Sequence, residues 1–384
     1  MKKLVLSLVV FSLLYACKNN DNVTIQNDFN LDTEVQSNKP KASHKTPTQL
    51  KKEADDLREQ YSKPQSQWPS PTIDYANGGT FKEIGAITST VKFPSDNNFS
   101  TKKAELGKAL FFDPRLSGSK KISCSTCHNP QKNWTDGEQQ AIGHNGMILK
   151  RNSPTIINSG FLPELFWDGR AKSLEAQATA VMLNPNEFSS TEASIKETIN
   201  SIPAYKTKFK ENFGTDNPDI THVAKAIATF ERTVNTKNQS NFDKFVLGQK
   251  NALSDSAIRG LHIFRTIGKC INCHNGANFT DNKFHNLSLT YEQTDKEDLG
   301  LYYITKNEED WGKFKTPSLR NVQNNGPYMH NGVFVKLKKV LELYSDGMHG
   351  KDPHKSPIIK PIGFEDQEFI DLEEFLNSLS ETVN

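Results

Sequence analysis

Four of the chain's five cysteines fall in two copies of one pattern, Cys124-Ser125-Thr126-Cys127-His128 and Cys270-Ile271-Asn272-Cys273-His274. Two thiols two residues apart, followed at once by an imidazole, suit one task closely. The thiols reach the two vinyl groups along one porphyrin edge, and the adjacent histidine swings beneath the iron as an axial ligand, giving a covalent haem c. Zinc competes for such cysteines, but structural zinc sites separate their pairs by about 15–20 residues. Here the pairs lie in different halves of the chain. A thioredoxin-like redox pair needs a βαβ setting, and no such alternation of strand and helix surrounds either motif. The chain is therefore expected to carry two haem c groups, one held by Cys124, Cys127 and His128, the other by Cys270, Cys273 and His274.

The fifth cysteine, Cys17, closes Leu14-Tyr15-Ala16-Cys17, after Lys2, Lys3 and an apolar run over residues 4–14. That run is too short to span a bilayer and has the length of an export-signal core. Its end resembles a lipobox. Residues 1–17 are thus expected to be a lipoprotein signal peptide, and Cys17 a lipid anchor to the membrane, with the protein in the periplasm or cell envelope. Residues 18–67 are polar and are expected to form a flexible tether, although Leu50, Ala54, Leu57 and Tyr61 keep the spacing of a short amphipathic helix. The charge balance, 47 basic against 45 acidic residues, gives no basic field for nucleic acid, and none is expected as a partner.

The elements that must position the two motifs read as helices. Ser100 or Thr101 can cap a helix bearing Leu106, Ala109 and Leu110. Residues 173–183, 222–234 and 254–267 also carry helical patterns, and Phe369, Leu372, Phe375, Leu376 and Leu379 form a C-terminal apolar stripe. Sustained alternation with period two is missing, so strands are expected to be minor. The expected fold is mainly α, with two cytochrome c-like domains joined by long loops. One haem falls in each domain, residues 68–245 and residues 246–384.

Two haems suit a plain electron carrier as well as an enzyme. A carrier saturates both irons with strong ligands, whereas a peroxidase leaves one position open and adds a proton-handling group beside it. Here a resemblance decides. The blocks 106–117 and 123–128, with Arg151-Asn152-Ser153-Pro154-Thr155 and Phe166-Trp167-Asp168-Gly169-Arg170-Ala171, are similar to the dihaem cytochrome c peroxidase family, which includes the MauG proteins. So are Thr316-Pro317-Ser318-Leu319-Arg320-Asn321 and Pro327-Tyr328-Met329-His330-Asn331-Gly332, all in the family's order.

The resemblance implies a role for each matching residue. His128 becomes the proximal ligand of the first, peroxide-binding haem. Glu187 becomes its distal acid and Gln177 its distal amide, and Trp167 stands between the haems. His144 matches a loop histidine that closes the first iron in the resting state of many members. Asn152, with the carbonyls of Asn325 and Pro327, falls where the family holds one Ca2+ between the haem domains. His274 is the proximal ligand of the second haem. Tyr344 stands where peroxidases fed by cytochrome c have a methionine and MauG proteins a tyrosine, with Met348 and Met329 nearby as alternatives. A phenolate there favours Fe(III), a thioether Fe(II). Ala180-Val181 replaces a common Gly-Pro, and Phe188 a common methionine. The implied partners are hydrogen peroxide and a one-electron donor such as a small cytochrome c, a cupredoxin or a quinol-linked protein; members are often homodimers. The alternatives are a MauG-like oxidase acting on a protein, and the plain carrier.

Overall fold

The computed structural model describes residues 45–74, 81–290, 297–348 and 352–383. The signal peptide, the anchor at Cys17 and the first part of the expected tether lie outside the described residues. The described chain is mainly helical: α1 Pro47–Tyr61, α2 Thr101–Phe111, α3 Cys124–Cys127, α4 Leu174–Leu183, α5 Glu192–Ser201, α6 Pro203–Phe213, α7 Ile220–Glu231, α8 Asn241–Val246, α9 Asp255–Arg265, α10 Tyr302–Thr305, α11 Leu337–Ser345 and α12 Asp366–Asn377. The described strands are β1 Phe284–His285 and β2 Phe314–Lys315, an antiparallel pair in which Phe284 faces Lys315 and His285 faces Phe314. Among the described residues no helix is long and apolar enough to cross a membrane.

Capping residues set where the long helices start. Ser100, Ser173 and Ser254 each accept from a backbone N–H in the first turn of α2, α4 and α9. Two pairs of these helices cross closely, α2 on α7 and α9 on α12, and each crossing has a glycine at its contact. A Cβ at Gly107 would sit 1.9 Å from the Ala226 carbonyl, and one at Gly260 would sit 1.9 Å from that of Asp371. A methyl group therefore cannot enter without parting the helices. Gly260→Ala is expected to destabilise the protein by about 1–3 kcal/mol, read as a fall in the denaturant midpoint at constant slope.

The resemblance between the halves goes well beyond one crossing. Pro154 and Pro317, Asn158 and Asn321, Gly169 and Gly332, and the helix starts Leu174 and Leu337 are all related by the same separation along the chain. Asn158 and Asn321 both adopt the left-handed conformation and both open a 3-10 turn. Leu165 bridges Ala171 as Tyr328 bridges Phe334. Phe166 and Met329 both have positive φ, 65° and 72°. The chain thus builds one motif-bearing unit twice.

Two buried cores match these units, but not with the expected boundaries. The first contains Leu106, Phe111, Trp134, Phe209 and Phe230, and also Val383 from the C-terminus. The second contains Phe242, Phe264, Phe279 and Phe375, and also Ala54, Leu57, Tyr61 and Trp68. The stretch from Pro47 is therefore not tether. Pro47 at the first helical turn, the Thr46–Gln49 capping box and the buried Ala54, Leu57 and Tyr61 make α1 a docked helix. Arg58 fixes it by donating to the Leu253 carbonyl at 2.7 Å and to Asp255 at 2.7 Å, and Arg259 reaches back to the Leu50 carbonyl. Composition alone missed this, because one apolar stripe suffices to dock an otherwise polar helix.

Candidate haem and peroxide site

A single cavity of about 710 Å³ runs from the first Cys-x-x-Cys-His motif to the second and is lined mostly by apolar groups. All six residues expected to attach and ligate the haems border it. Each motif positions its histidine by the same device. The His128 Nδ1–H donates to the Trp134 carbonyl (3.3 Å) and the His274 Nδ1–H to the Phe279 carbonyl (3.0 Å). A carbonyl only accepts, so Nδ1 carries the proton and Nε2 is the free lone pair on both rings. Trp134 and Phe279 have positive φ, 62° and 52°. This conformation costs energy for a bulky residue, and the burial of both rings holds it. Burial also lowers the pKa of both histidines, keeping them neutral as an iron ligand requires.

The cysteines fit haem better than zinc. None is in a disulfide among the described residues. Burial pushes the thiols of Cys127 and Cys270 up to about 12 and raises those of Cys124 and Cys273 as well. Zinc needs thiolates, whereas thioether formation consumes neutral sulfur groups in an apolar slot. Cys273, Asp281 and His285 do come within 4.8 Å of one another, yet His285 Nε2 is already bound to Asp281 Oδ2 at 2.8 Å. Both motifs thus open onto one apolar cavity with their Nε2 atoms free, which is what two covalent haems need.

Around the first motif, Glu187, Gln177 and Trp167 all line the cavity. Glu187 Oε1 accepts from Asn184 Nδ2 at 2.8 Å. Burial raises its pKa above the usual carboxylate value, with the Arg170 charge and the Asn184 bond opposing. It is thus a carboxyl able to exchange a proton nearer neutrality. The Trp167 indole N–H donates to the Asn152 carbonyl at 2.9 Å, and its own carbonyl accepts from Lys315 N at 2.8 Å. Beside it, Arg151 binds Asp298 with two nitrogens and Asp168 with the third, at 2.6–2.8 Å.

Asn152 gives its side-chain nitrogen to the Glu138 and Gln139 carbonyls, which leaves its oxygen as the acceptor end. The Asn325 side-chain oxygen is taken by Asn133. The Asn325 and Pro327 carbonyls, on either side of a cis Gly326–Pro327 bond, accept no backbone N–H among the described residues. Three oxygen donors bordering one cavity suit a hard cation such as Ca2+.

At the second motif Tyr344 borders the cavity, and burial raises the pKa of its hydroxyl. Met348 does not border it; that side chain is buried in the second core. Met329 does border it. His144 is the one expected iron-facing residue of the first half that stays outside the lining. Its backbone N–H is tied to the Asn186 carbonyl, and Gly143 packs so tightly there that a Cβ would lie 2.0 Å from the same oxygen. The His144 side chain is partly buried, with Nδ1 unpartnered.

Several cavity residues carried no signal that the sequence reading used. Glu231 is buried with Oε2 unpartnered, and burial lifts its pKa to about 8. Lys315 is buried with only a 3.4 Å bond to the Thr316 carbonyl, and burial lowers it to about 8. His330 stacks on Phe314 at 3.6 Å and is pushed down to about 3 by burial. His330 lies inside the Pro327–Gly332 block, whereas Glu231 and Lys315 belong to no motif.

Comparison with known proteins agrees with this geometry. The family model for di-haem cytochrome c peroxidase matches residues 101–251. Cytochrome-c peroxidase IdrP1 of Denitromonas iodatirespirans is 38% identical over 335 residues, 80% of this chain and 89% of the relative. Methylamine utilization protein MauG of Methylorubrum extorquens is 38% identical over 293 residues, 76% of this chain and 81% of the relative. Among solved structures, a MauG-like protein associated with microbial copper homeostasis superposes with a TM-score of 0.72 at 30% identity, covering 76% of this chain and 93% of that one. The diheme peroxidase BthA of Burkholderia thailandensis shares the fold, with a TM-score of 0.64 at 21% identity. With two haem-attachment motifs on one cavity and relatives that match most of its length, the chain belongs to the di-haem cytochrome c peroxidase family and is an oxidoreductase of cytochrome-c peroxidase type.

Proposed function

We propose that this protein reduces hydrogen peroxide to water at the haem held by Cys124 and Cys127, using electrons that arrive singly through the haem held by Cys270 and Cys273. The observation that carries this is Glu187, a half-buried carboxyl with a raised pKa, in the same cavity as His128 and Gln177. Haem, when bound, would supply the redox chemistry of peroxide reduction and the couple that accepts electrons. Glu187 takes the proton from the near oxygen of peroxide and delivers it to the far one, so the O–O bond breaks with water as leaving group. Gln177 offers an amide to orient the peroxide. Asn152 holds the indole of Trp167 through its carbonyl, in the stretch of cavity between the two motifs.

The same segment supports Ca2+ as an ion shared by Asn152, Asn325 and Pro327, which would couple the ion to the seat of Trp167. Asn152→Ala is expected to weaken Ca2+ binding by at least the roughly tenfold that losing a supporting partner costs, seen by titrating the Ca2+-depleted holoprotein and following haem absorbance. In this reading Tyr344, which borders the cavity, would help hold the second haem, and His144, on the loop tied to the Asn186 carbonyl, would be a ligand for the first in the resting state. An exported lipoprotein with Cys17 acylated fits the N-terminal sequence. The donor class is a small cytochrome c, a cupredoxin or a quinol-linked protein, met in a transient contact.

The test is peroxide-dependent oxidation of reduced cytochrome c by the dihaem protein. Saturable turnover supports the proposal. Tyr344 on the cavity favours a second reading, a MauG-like oxidation of a protein side chain. It would be indicated by peroxide changing the haem spectrum without any small donor being oxidised.

A further inference from the structure

We infer that Glu231 is the redox-linked proton site of the first haem, taking up one proton from solvent when that haem takes up one electron. This rests on the dihaem reading above and not on the peroxide chemistry. The placement comes from the two helix crossings. At the first, a Cβ on Gly107 would meet the Ala226 carbonyl and the Phe230 Cβ; at the second, one on Gly260 would meet the Asp371 carbonyl and the Phe375 Cβ. The next residue along α7 is Glu231, the next along α12 is Leu376, and both border the cavity. The first half thus puts a carboxyl where the second puts a hydrocarbon.

Among the described residues the other carboxyls bordering the cavity have partners: Asp168 and Asp298 are held by Arg151, and Glu187 by Asn184. Glu231 is 3% exposed, and its Oε2 has none. The cations nearby are spent elsewhere. Arg232 gives two nitrogens to Glu175 of α4, and Lys103 of α2 gives its amine to Asn97 and to the Asn98 carbonyl. The other charges of α2 (Lys102, Glu105 and Lys108) and those of α5 (Glu192, Lys196 and Glu197) are exposed. Burial lifts the Glu231 pKa to about 8, with Arg232 opposing and Glu175 adding to the rise. From α3 comes Cys124, close enough for the Glu231 charge to help raise its thiol pKa. A haem attached at Cys124 would lie beside this carboxyl. A ferric haem carries one more positive charge than a ferrous one, and a buried carboxylate leans on such a charge. Once an electron from the one-electron donor cancels it, Glu231 binds a proton from water. The O–H bond is the only bond made, and proton and electron leave again on reoxidation.

The experiment is a spectroelectrochemical titration of the dihaem protein across pH, after the haems per chain have been counted from the pyridine haemochrome spectrum. In wild type one of the two potentials is expected to fall as pH rises. The fall is up to tenfold in the reduction equilibrium per pH unit, about 59 mV for one electron. Glu231→Gln is expected to abolish it and to hold that potential at the wild-type acid-side value. Glu231→Leu, which installs the side chain that α12 carries at this place, is expected to do the same and keeps the inference testable if the amide prevents folding. The reduced-minus-oxidised infrared spectrum is expected to gain a protonated-carboxyl band in wild type and in Glu187→Gln, and to lack it in both Glu231 variants. Wild-type potentials that ignore pH, or a pH-dependent potential and carboxyl band that survive in both Glu231 variants, overturn the inference and leave the dihaem reading standing. A chain that carries a single haem overturns both.

Discussion

Glu187→Gln is expected to lower kcat/KM for peroxide by about 10²–10⁴-fold while both haems remain attached. The amide keeps the shape of the side chain, and its oxygen can still accept from Asn184 Nδ2, so what disappears is the proton-carrying oxygen pair. The pH profile separates this from simple misplacement. The base form is the active one, and burial raises the pKa of Glu187 above the ordinary carboxylate value. In wild type the rate should therefore fall as pH drops through that raised pKa, and rise to a plateau above it. The variant should lack this limb altogether. Stopped-flow measurement of peroxide consumption across pH gives both results, and a variant with wild-type rate and profile would take Glu187 out of the reaction.

The second large effect is on stability. Arg320, within the Thr316-Pro317-Ser318-Leu319-Arg320-Asn321 block, is 1% exposed and pairs with Asp243, which is 0% exposed, at 2.6 Å. Its remaining nitrogens donate to the carbonyls of Ala277 and Gly85. The guanidinium lies over the Phe279 ring, whose residue supplies the carbonyl that orients His274. Asp243→Ala strands a buried cation, and the expected cost is about 3–5 kcal/mol. Denaturant unfolding of the dihaem protein measures it. A loss below about 1 kcal/mol, the scale of an exposed pair, would mean that the pair is solvated and does not hold the second core together.

Much of the site was legible in the sequence because covalent chemistry leaves a local signature. The spacing Cys-x-x-Cys-His specifies thiols and imidazole within one turn, and α3 and its counterpart at Cys270–Asn272 are such turns. The helices from Ser100, Ser173 and Ser254 were equally readable, since a cap and an apolar period are local facts. What escaped was set by distant parts of the chain. Nothing near residue 54 states that its stripe docks on α9, and nothing near residue 383 states that the Val383 carbonyl accepts from the Trp134 indole at 3.1 Å. The internal repeat also stayed hidden, because its halves conserve backbone turns and helix starts more than side chains. Trp167 faces His330 in that correspondence, and Val181 faces Tyr344. His144 shows the opposite limit. A sequence motif can name a ligand, but whether the loop presents it depends on Gly143 and the Asn186 carbonyl.

The central claim is that two haems in one chain deliver the two electrons that peroxide reduction consumes. The most direct test is anaerobic mixing of the fully reduced dihaem protein with substoichiometric hydrogen peroxide, followed by absorbance. Rapid oxidation of two haems for each peroxide added is expected, with water as the product. A protein whose reduced spectrum is unchanged by peroxide would contradict it and would make the chain a dihaem electron carrier.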